Sequence, residues 1–360
     1  MGGLQEHISP GVRRDQEPEG QVTRKARQRS HDEYGPVNAH EAEVFLPYEA
    51  VVDRLEDAAK QLPGASVLHR EGLAILRVGT ASASDVNDRR PEIWLQGGLH
   101  ACEWIGPVVV LRLMDELIRS SELRGRATWY LLPVVDAHGY QRTWAGERFL
   151  RTTENGENPN LNFPYRWGEA PRLLNRLLGS KLRGWMGSHP ASAGCVKSLV
   201  SELKSLTNLQ LFLDFHGFGR LWLYPWCHSR KPSPHHTEHK AACATAVAAA
   251  NRHAGRHGYR AQAAAFTEVP MGGSCIDFVY GEIGCAHSYA VELPPSLPRG
   301  GVLGATLLGA LRGDPKRWWK EGQAPSAEVG IEAGDEMAAA LPALVDHLFG
   351  GTPAAEAPSR

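Results

Sequence analysis

The sequence predicts a three-layer α/β/α fold, with a central mixed, mainly parallel twisted sheet flanked by helices. Three observations carry this expectation. Strand-like and helix-like patterns alternate along most of the chain. Several of the strand-like runs are apolar on both faces, as strands covered by helices on both sides of a sheet must be. A chain of 360 residues, 42% hydrophobic and 22% charged, is long enough to bury a core without help from disulfides.

The elements follow in order. Residues 1–43 are polar, with Arg13, Arg14, Arg24, Lys25, Arg27 and Arg29 set among acids, Gly and Pro. Such a segment buries too little to order itself, so a flexible N-terminal arm is expected. "YEAVVDRLEDAAKQL" (48–62) has the spacing of a helix, and "LAILRVG" (73–79) and "PEIWLQGGL" (91–99) read as strands. A helix is expected over 107–121, a strand over "ATWYLLPVV" (127–135) and a loop-rich stretch over 164–190. Helix 195–206, strand "LQLFLDFHG" (209–217), helix 238–254, strand "HSYAVEL" (287–293) and helix 336–349 complete one domain over 44–350. Residues 351–360 read as a disordered tail.

Charge and cysteine content narrow the function. Lys plus Arg is 39 and Asp plus Glu is 40, a net charge of -1, so nothing global points to nucleic acid or an anionic membrane. Cys102, Cys195, Cys227, Cys243, Cys275 and Cys285 are scattered without a CxxC pair and read as free thiols. No window reaches the roughly eighteen apolar residues of a membrane span. The N-terminus has no apolar core of a secretory signal. A cytoplasmic protein or a truncated secreted product is the expectation.

In open α/β sheets the chemistry gathers beyond the carboxyl ends of the strands. Three such ends carry candidate ligands or acids: His100 and Glu103 in "WLQGGLHACEW", His216 (with Asp214 before it) in "LFLDFHGFG", and Glu292 in "YAVELPP". A His and a Glu three residues apart in a first helical turn reach a common point. A His from a neighbouring strand completes the three protein ligands of a catalytic zinc, and a carboxylate outside that set can take a proton from water. Taken singly, these residues also fit a solvated turn and a satisfied strand-end histidine.

Together they resemble the zinc metallocarboxypeptidases of the carboxypeptidase A/B type, over most of residues 44–300. "GGLHACEW" is similar to the family's first zinc motif, "LPVVDAHGYQRTW" to its Asn-Pro-Asp-Gly-Tyr segment, and "ERFLR" to its Arg-x-x-Arg stretch. "NPNLNFPYRWG", "DFHGFGRLWLYPW" and "GGSCIDFVYGEIGCAHSYAVEL" match further segments in the family's order. The resemblance implies a zinc carboxypeptidase-like fold and one Zn2+ per chain on His100, Glu103 and His216. It implies Glu292 as general base and then general acid, and Arg151 as the stabiliser of the developing oxyanion. It also implies a monomer acting on peptide or protein C-termini, with Asn160, Asp277 and Arg148 as substrate-binding residues. Asp277 lies where the family shapes its side-chain pocket.

The same resemblance shows departures. Leu161 stands where the family carries the arginine that binds the substrate's carboxylate, and leucine offers no donor. Glu268 or Val269 occupies the place of a mobile tyrosine, Cys102 that of an arginine between two ligands, and Pro294 that of an arginine after the catalytic glutamate. Asn158 replaces an aspartate behind a zinc-binding histidine, and can still accept a hydrogen bond without lending charge. Either Arg148 or Arg166 is a candidate to fill the place that Leu161 leaves. Loss of the anchor would lower the rate as well as affinity, and points to an amide substrate without a free carboxylate, or to a relic of low activity. Elsewhere "HHTEH" (235–239) reads as an exposed loop and helix start, and Trp318 and Trp319 as part of an amphipathic surface segment.

Overall fold

The computed structural model describes residues 39–79, 90–169, 185–255, 257–267, 270–296 and 316–350. Most of the expected N-terminal arm, the tail over 351–360, and the Glu268 and Val269 positions lie outside the described residues. The last residues of the expected arm are helical, in a helix over Ala39–Val44.

Eight strands form one sheet: β1 (Ala65–Arg70), β2 (Leu73–Val78), β3 (Glu92–Gly97), β4 (Thr128–Leu132), β5 (Leu209–Gly217), β6 (Leu221–Tyr224), β7 (Arg260–Ala263) and β8 (His287–Leu293). Their order is β1-β2-β4-β3-β5-β8-β6-β7. The four central strands β4, β3, β5 and β8 are mutually parallel. Antiparallel pairs (β1 with β2, β2 with β4, β6 with β8) flank them, and β6 pairs with β7 in parallel. The sheet is mixed, with its parallel part in the middle.

The period of two along each strand sorts side chains onto two faces. On one face Ile93 and Leu95 of β3, Leu211, Leu213 and Phe215 of β5, and Tyr289 and Val291 of β8 join a core with the flanking helices. Those helices are α1 (Tyr48–Gln61), α2 (Ile105–Arg119), α5 (His236–Asn251) and α7 (Ala327–Phe349). On the other face Trp94, Phe212 and Ala290 pack with Val196, Leu199 and Leu203 of α4 (Gly194–Ser205). Two further helices, α3 (Ala137–Trp144) and α6 (Arg317–Gln323), lie next to the strand ends. Helix α1 shows why its sequence was readable: its buried Val51, Leu55 and Ala58 recur at helical spacing. Among the described residues, no helix is long and apolar enough to cross a membrane.

Strands β1, β6 and β7, helices α3 and α6, and the start of α7 are among the elements that differ from expectation. β6 and β7 have four residues each, too few for alternation to register. β1 is a half-exposed edge strand. Helix α7 begins at Ala327, nine residues before the expected start, and runs through Pro342. Its early part contains Gly330 and Gly334, which disfavour helix in isolation. Here they allow close packing, since a Cβ on Gly334 would stand 2.8 Å from the Arg112 side chain. The helix is further pinned by buried Glu336, which accepts from Arg220 Nη1 at 2.6 Å and from the Tyr259 hydroxyl at 2.9 Å.

The "HHTEH" stretch begins α5 as expected, but His239 is fully buried. Its Nδ1 is 3.2 Å from Ser233 Oγ and its Nε2 2.7 Å from the Ala286 carbonyl. Burial pushes the pKa of His239 down to about 4, and burial with nearby histidines does the same for His287. Both have folded-state pKa values below the unfolded value of about 6.5, so the unfolded chain binds more protons in between. Their contribution to stability is therefore complete above about pH 6.5 and is lost as the pH falls toward 4. Urea unfolding at pH 7, 5.5 and 4.5 is expected to show the midpoint falling with pH, and His287→Gln is expected to flatten that slope. Equal slopes in the variant and the parent chain would contradict this reading.

Candidate metal centre

The site stands at the carboxyl ends of β3, β5 and β8. β5 and β8 pair so that His216 is opposite Glu292. Neighbours in register on parallel strands project to the same face, here the face that carries Phe212 and Ala290. The first two candidate ligands arrive from the loop after β3. Gly98 turns the chain with φ +61, a backbone conformation that glycine adopts freely. Gly106 closes the loop against the sheet, where a Cβ would stand 2.7 Å from the Phe215 carbonyl. Between these glycines, Glu103 N donates to the His100 carbonyl at 3.1 Å, bringing the two side chains together.

His100, Glu103 and His216 converge with one ligand atom each, all within 4.8 Å of one another, and all three residues are buried. Glu103 Oε1 lies 3.0 Å from His100 Nδ1, and Oε2 lies 2.9 Å from His216 Nδ1. Gly217 N donates to Oε2 at 3.1 Å, and Arg151 Nη1 donates to Oε1. Burial alone would raise the Glu103 pKa, but His100, Arg151 and His216 outweigh it and hold the carboxyl well below its usual range. Burial pulls His216 down, and Asp214 with Glu103 more than reverse it. His100 is lowered by burial and by Arg151.

The donor set fits zinc. Two imidazole nitrogens and a carboxylate are the ligand chemistry of an open catalytic site. His100 Nδ1 is buried without an aligned hydrogen-bond partner among the described residues, an orphaned donor or acceptor that a cation would satisfy. The other nitrogen of each ring is held from outside. His100 Nε2 donates to Asn158 Oδ1 at 3.0 Å, and His216 Nε2 to Asp214 Oδ2 at 2.9 Å. Both Nδ1 atoms thereby face inward, and the carboxylate raises the basicity of His216. Asn158 Oδ1 also accepts from Asn160 N at 3.0 Å, which fixes the amide.

A model of the zinc carboxypeptidase family matches residues 57–301. The chain belongs to the zinc carboxypeptidase family. Among relatives, zinc carboxypeptidase A 1 of Anopheles gambiae is 30% identical over 220 residues, 57% of this chain and 49% of that protein. Carboxypeptidase B of Astacus astacus is 24% identical over 280 residues, 73% of this chain and 86% of that protein. The chain spans about half the length of the Anopheles protein and of the carboxypeptidase B of Helicoverpa zea. Carboxypeptidase A from Helicoverpa armigera shares the fold with a TM-score of 0.71 at 19% identity, covering 92% of this chain and 81% of that one. Bovine thrombin-activatable fibrinolysis inhibitor, solved with a tick carboxypeptidase inhibitor, gives 0.69 at 19% identity, covering 86% and 98%. The chain thus has the three-layer fold of those structures.

The other expected site residues fall differently. Arg151 is at the centre, about one-third exposed (37%). Asn160 is half-buried, and its Oδ1 accepts from Cys275 N at 2.8 Å. Asp277 is engaged with the loop after β6. It is fully buried and accepts from Cys227 N at 2.8 Å and from His228 N at 2.9 Å, so its carboxylate braces the loop after β6. Arg148, the other candidate, is held by backbone. It is buried and donates to the carbonyls of Cys102 at 2.7 Å and Gln323 at 2.6 Å. Arg166 is exposed and pairs with Glu169 at 3.0 Å. Cys102 is fully buried, and burial raises its thiol pKa to about 12. It is thus a packed thiol outside the ligand set. The role of Asp214 was missed, although its position two residues before His216 puts both side chains on one face of β5.

Asp214→Asn is expected to weaken zinc binding by about tenfold or more, read by competition with a chelating indicator. Unchanged affinity would contradict the role given to this carboxylate.

Proposed function

We propose that this chain is a zinc-dependent metallocarboxypeptidase, acting as a monomer on the C-terminal peptide bond of peptides and proteins. The observation that carries the proposal is the register of His216 with Glu292, which sets a glutamate beside the buried His100, Glu103 and His216 triad. Zinc held by that triad would polarise the scissile carbonyl and make water acidic enough to ionise near neutral pH. Glu292, half-exposed at the end of β8, takes the proton of the attacking water and passes it to the leaving amine. Gly219 packs on its stem: a Cβ there would stand 3.3 Å from Glu292 Cβ. Arg151 lies against the carboxylate ligand, with its charge in reach of the oxyanion that develops on the carbonyl.

A second reading keeps this machinery and changes the substrate to an amide without a free carboxylate beside it. It is favoured by Leu161, which is buried and carries no donor, while Arg148 is committed to backbone carbonyls and Arg166 to Glu169. Asn160 alone retains a polar side chain in the matched pair.

The two readings separate in one assay. Zinc-loaded protein is incubated with free and C-terminally amidated peptides, with Glu292→Gln as control. The proposal expects release of C-terminal residues from free peptides only, and a loss in the control of about 100-fold or more. Cleavage of amidated peptides supports the second reading. Zinc binding without turnover of either would mark a relic and overturn both.

A further inference from the structure

We propose that helix α6 (Arg317–Gln323) is a bracket for the metal centre, with Arg148 and Gln323 as positioning residues that fix the first ligand loop against the strand of the third ligand. The inference deepens the metallopeptidase reading and rests on it.

The bracket is a chain of three hydrogen bonds. Arg148 Nη1 donates at 2.7 Å to the carbonyl of Cys102, the residue just before Glu103 and two after His100. Arg148 Nη2 donates at 2.6 Å to the carbonyl of Gln323. Gln323 Nε2 donates at 2.8 Å to the carbonyl of Gly217, the residue after His216. The path therefore runs from the segment holding two ligands to the segment holding the third. Its three bonds all end on backbone carbonyls. Arg148 and Gln323 are both buried, each 2% exposed.

Ring packing holds the parts in line. The Arg148 guanidinium stacks 3.9 Å from the ring centre of Trp104, the residue after Glu103. Trp104 in turn stacks on Trp144 at 4.4 Å and donates to Thr143 Oγ1 at 2.8 Å. Helix α6 presses on both sides of the site. Trp318 meets Phe218 edge-on at 6.0 Å, and Trp319 packs at 5.7 Å on Phe149, which lies between Arg148 and Arg151. Gly322 is needed for this fit, because a Cβ there would stand 2.1 Å from the Phe218 ring. The paired tryptophans thus serve the site from behind and are not a free surface patch.

The chemistry explains why an arginine is buried here. Its planar fork reaches two carbonyls in fixed directions, which the single ammonium of lysine does not. An apolar residue would leave both carbonyls without donors in a buried place. Burial lowers the guanidinium pKa to about 10, so it keeps its charge and all its donors at neutral pH.

The test compares Arg148→Lys and Gln323→Ala with Val51→Ala, a core truncation in α1 far along the chain from the site. Gln323→Ala removes only the link to Gly217 and leaves the backbone bond to Arg148, so it remains informative if Arg148→Lys does not fold. The full chain is used, and three quantities are read: the zinc dissociation constant by chelator competition, kcat and KM on a cleaved peptide, and Tm without metal. Both bracket variants are expected to raise the zinc dissociation constant about tenfold and to lower kcat with KM within about twofold. Val51→Ala is expected to lower Tm alone. Zinc constants no different from those of Val51→Ala would overturn the bracket. A raised KM with unchanged kcat would also overturn it, by making Arg148 a substrate contact. If the parent chain binds zinc but cleaves no peptide, the enzymatic reading fails while the zinc constants still decide the bracket.

Discussion

A buried carboxylate needs positive charge around it, and the architecture at the end of this sheet follows from that need. Glu103 is 2% exposed, and an ion taken from water without compensation costs several kcal/mol or more. Its two oxygens are met by His100, His216, Arg151 and the amide of Gly217. Two of those partners are rings whose far nitrogens are already held by Asn158 and Asp214. The result is a set of inward-facing donors around one point, which a divalent cation satisfies better than protons do. The sheet register, the glycine-bracketed loop and the bracket from α6 all hold this one arrangement in place.

The candidate site separates into residues that match the reactive set expected from the resemblance and residues that depart from its anchoring set. The triad, Glu292 and Arg151 sit together at the strand ends. The residues expected to hold a substrate are engaged otherwise: Leu161 carries no charge, Arg148 donates to backbone carbonyls, and Asp277, the candidate for the side-chain pocket, braces a loop. The charge behind the histidines is also arranged asymmetrically. A neutral amide stands behind His100 and a carboxylate behind His216, so the second ring is the more basic ligand. On the proposed function, these departures bear on which substrate is held more than on how water is activated.

Much of this was legible in the sequence for a physical reason. Strands β2, β3, β5 and β8 are buried on both faces and are near-continuous apolar runs. The ligands follow directly from strand ends that such runs define. The four-residue β6 and β7 left no periodic signal, and the start of α7 is masked by its glycines, whose small size matters against Arg112, Val44 and Phe45. Arg148 and Asp277 were read as substrate contacts because sequence gives residue type and order. Their assignment to backbone carbonyls and amides depends on α6 and the β6 loop folding over them. Gln323 carries no sequence signal of its own, and only the fold brings it to Gly217.

X-ray absorption at the zinc edge, on protein loaded with one equivalent of zinc, tests the central claim most directly. The account predicts two imidazole nitrogens near 2.0–2.1 Å and carboxylate or water oxygens near 2.0–2.2 Å, with no sulfur in the shell. It also predicts loss of one imidazole in His216→Ala. A sulfur ligand near 2.3 Å, or a shell indifferent to His216, would contradict it.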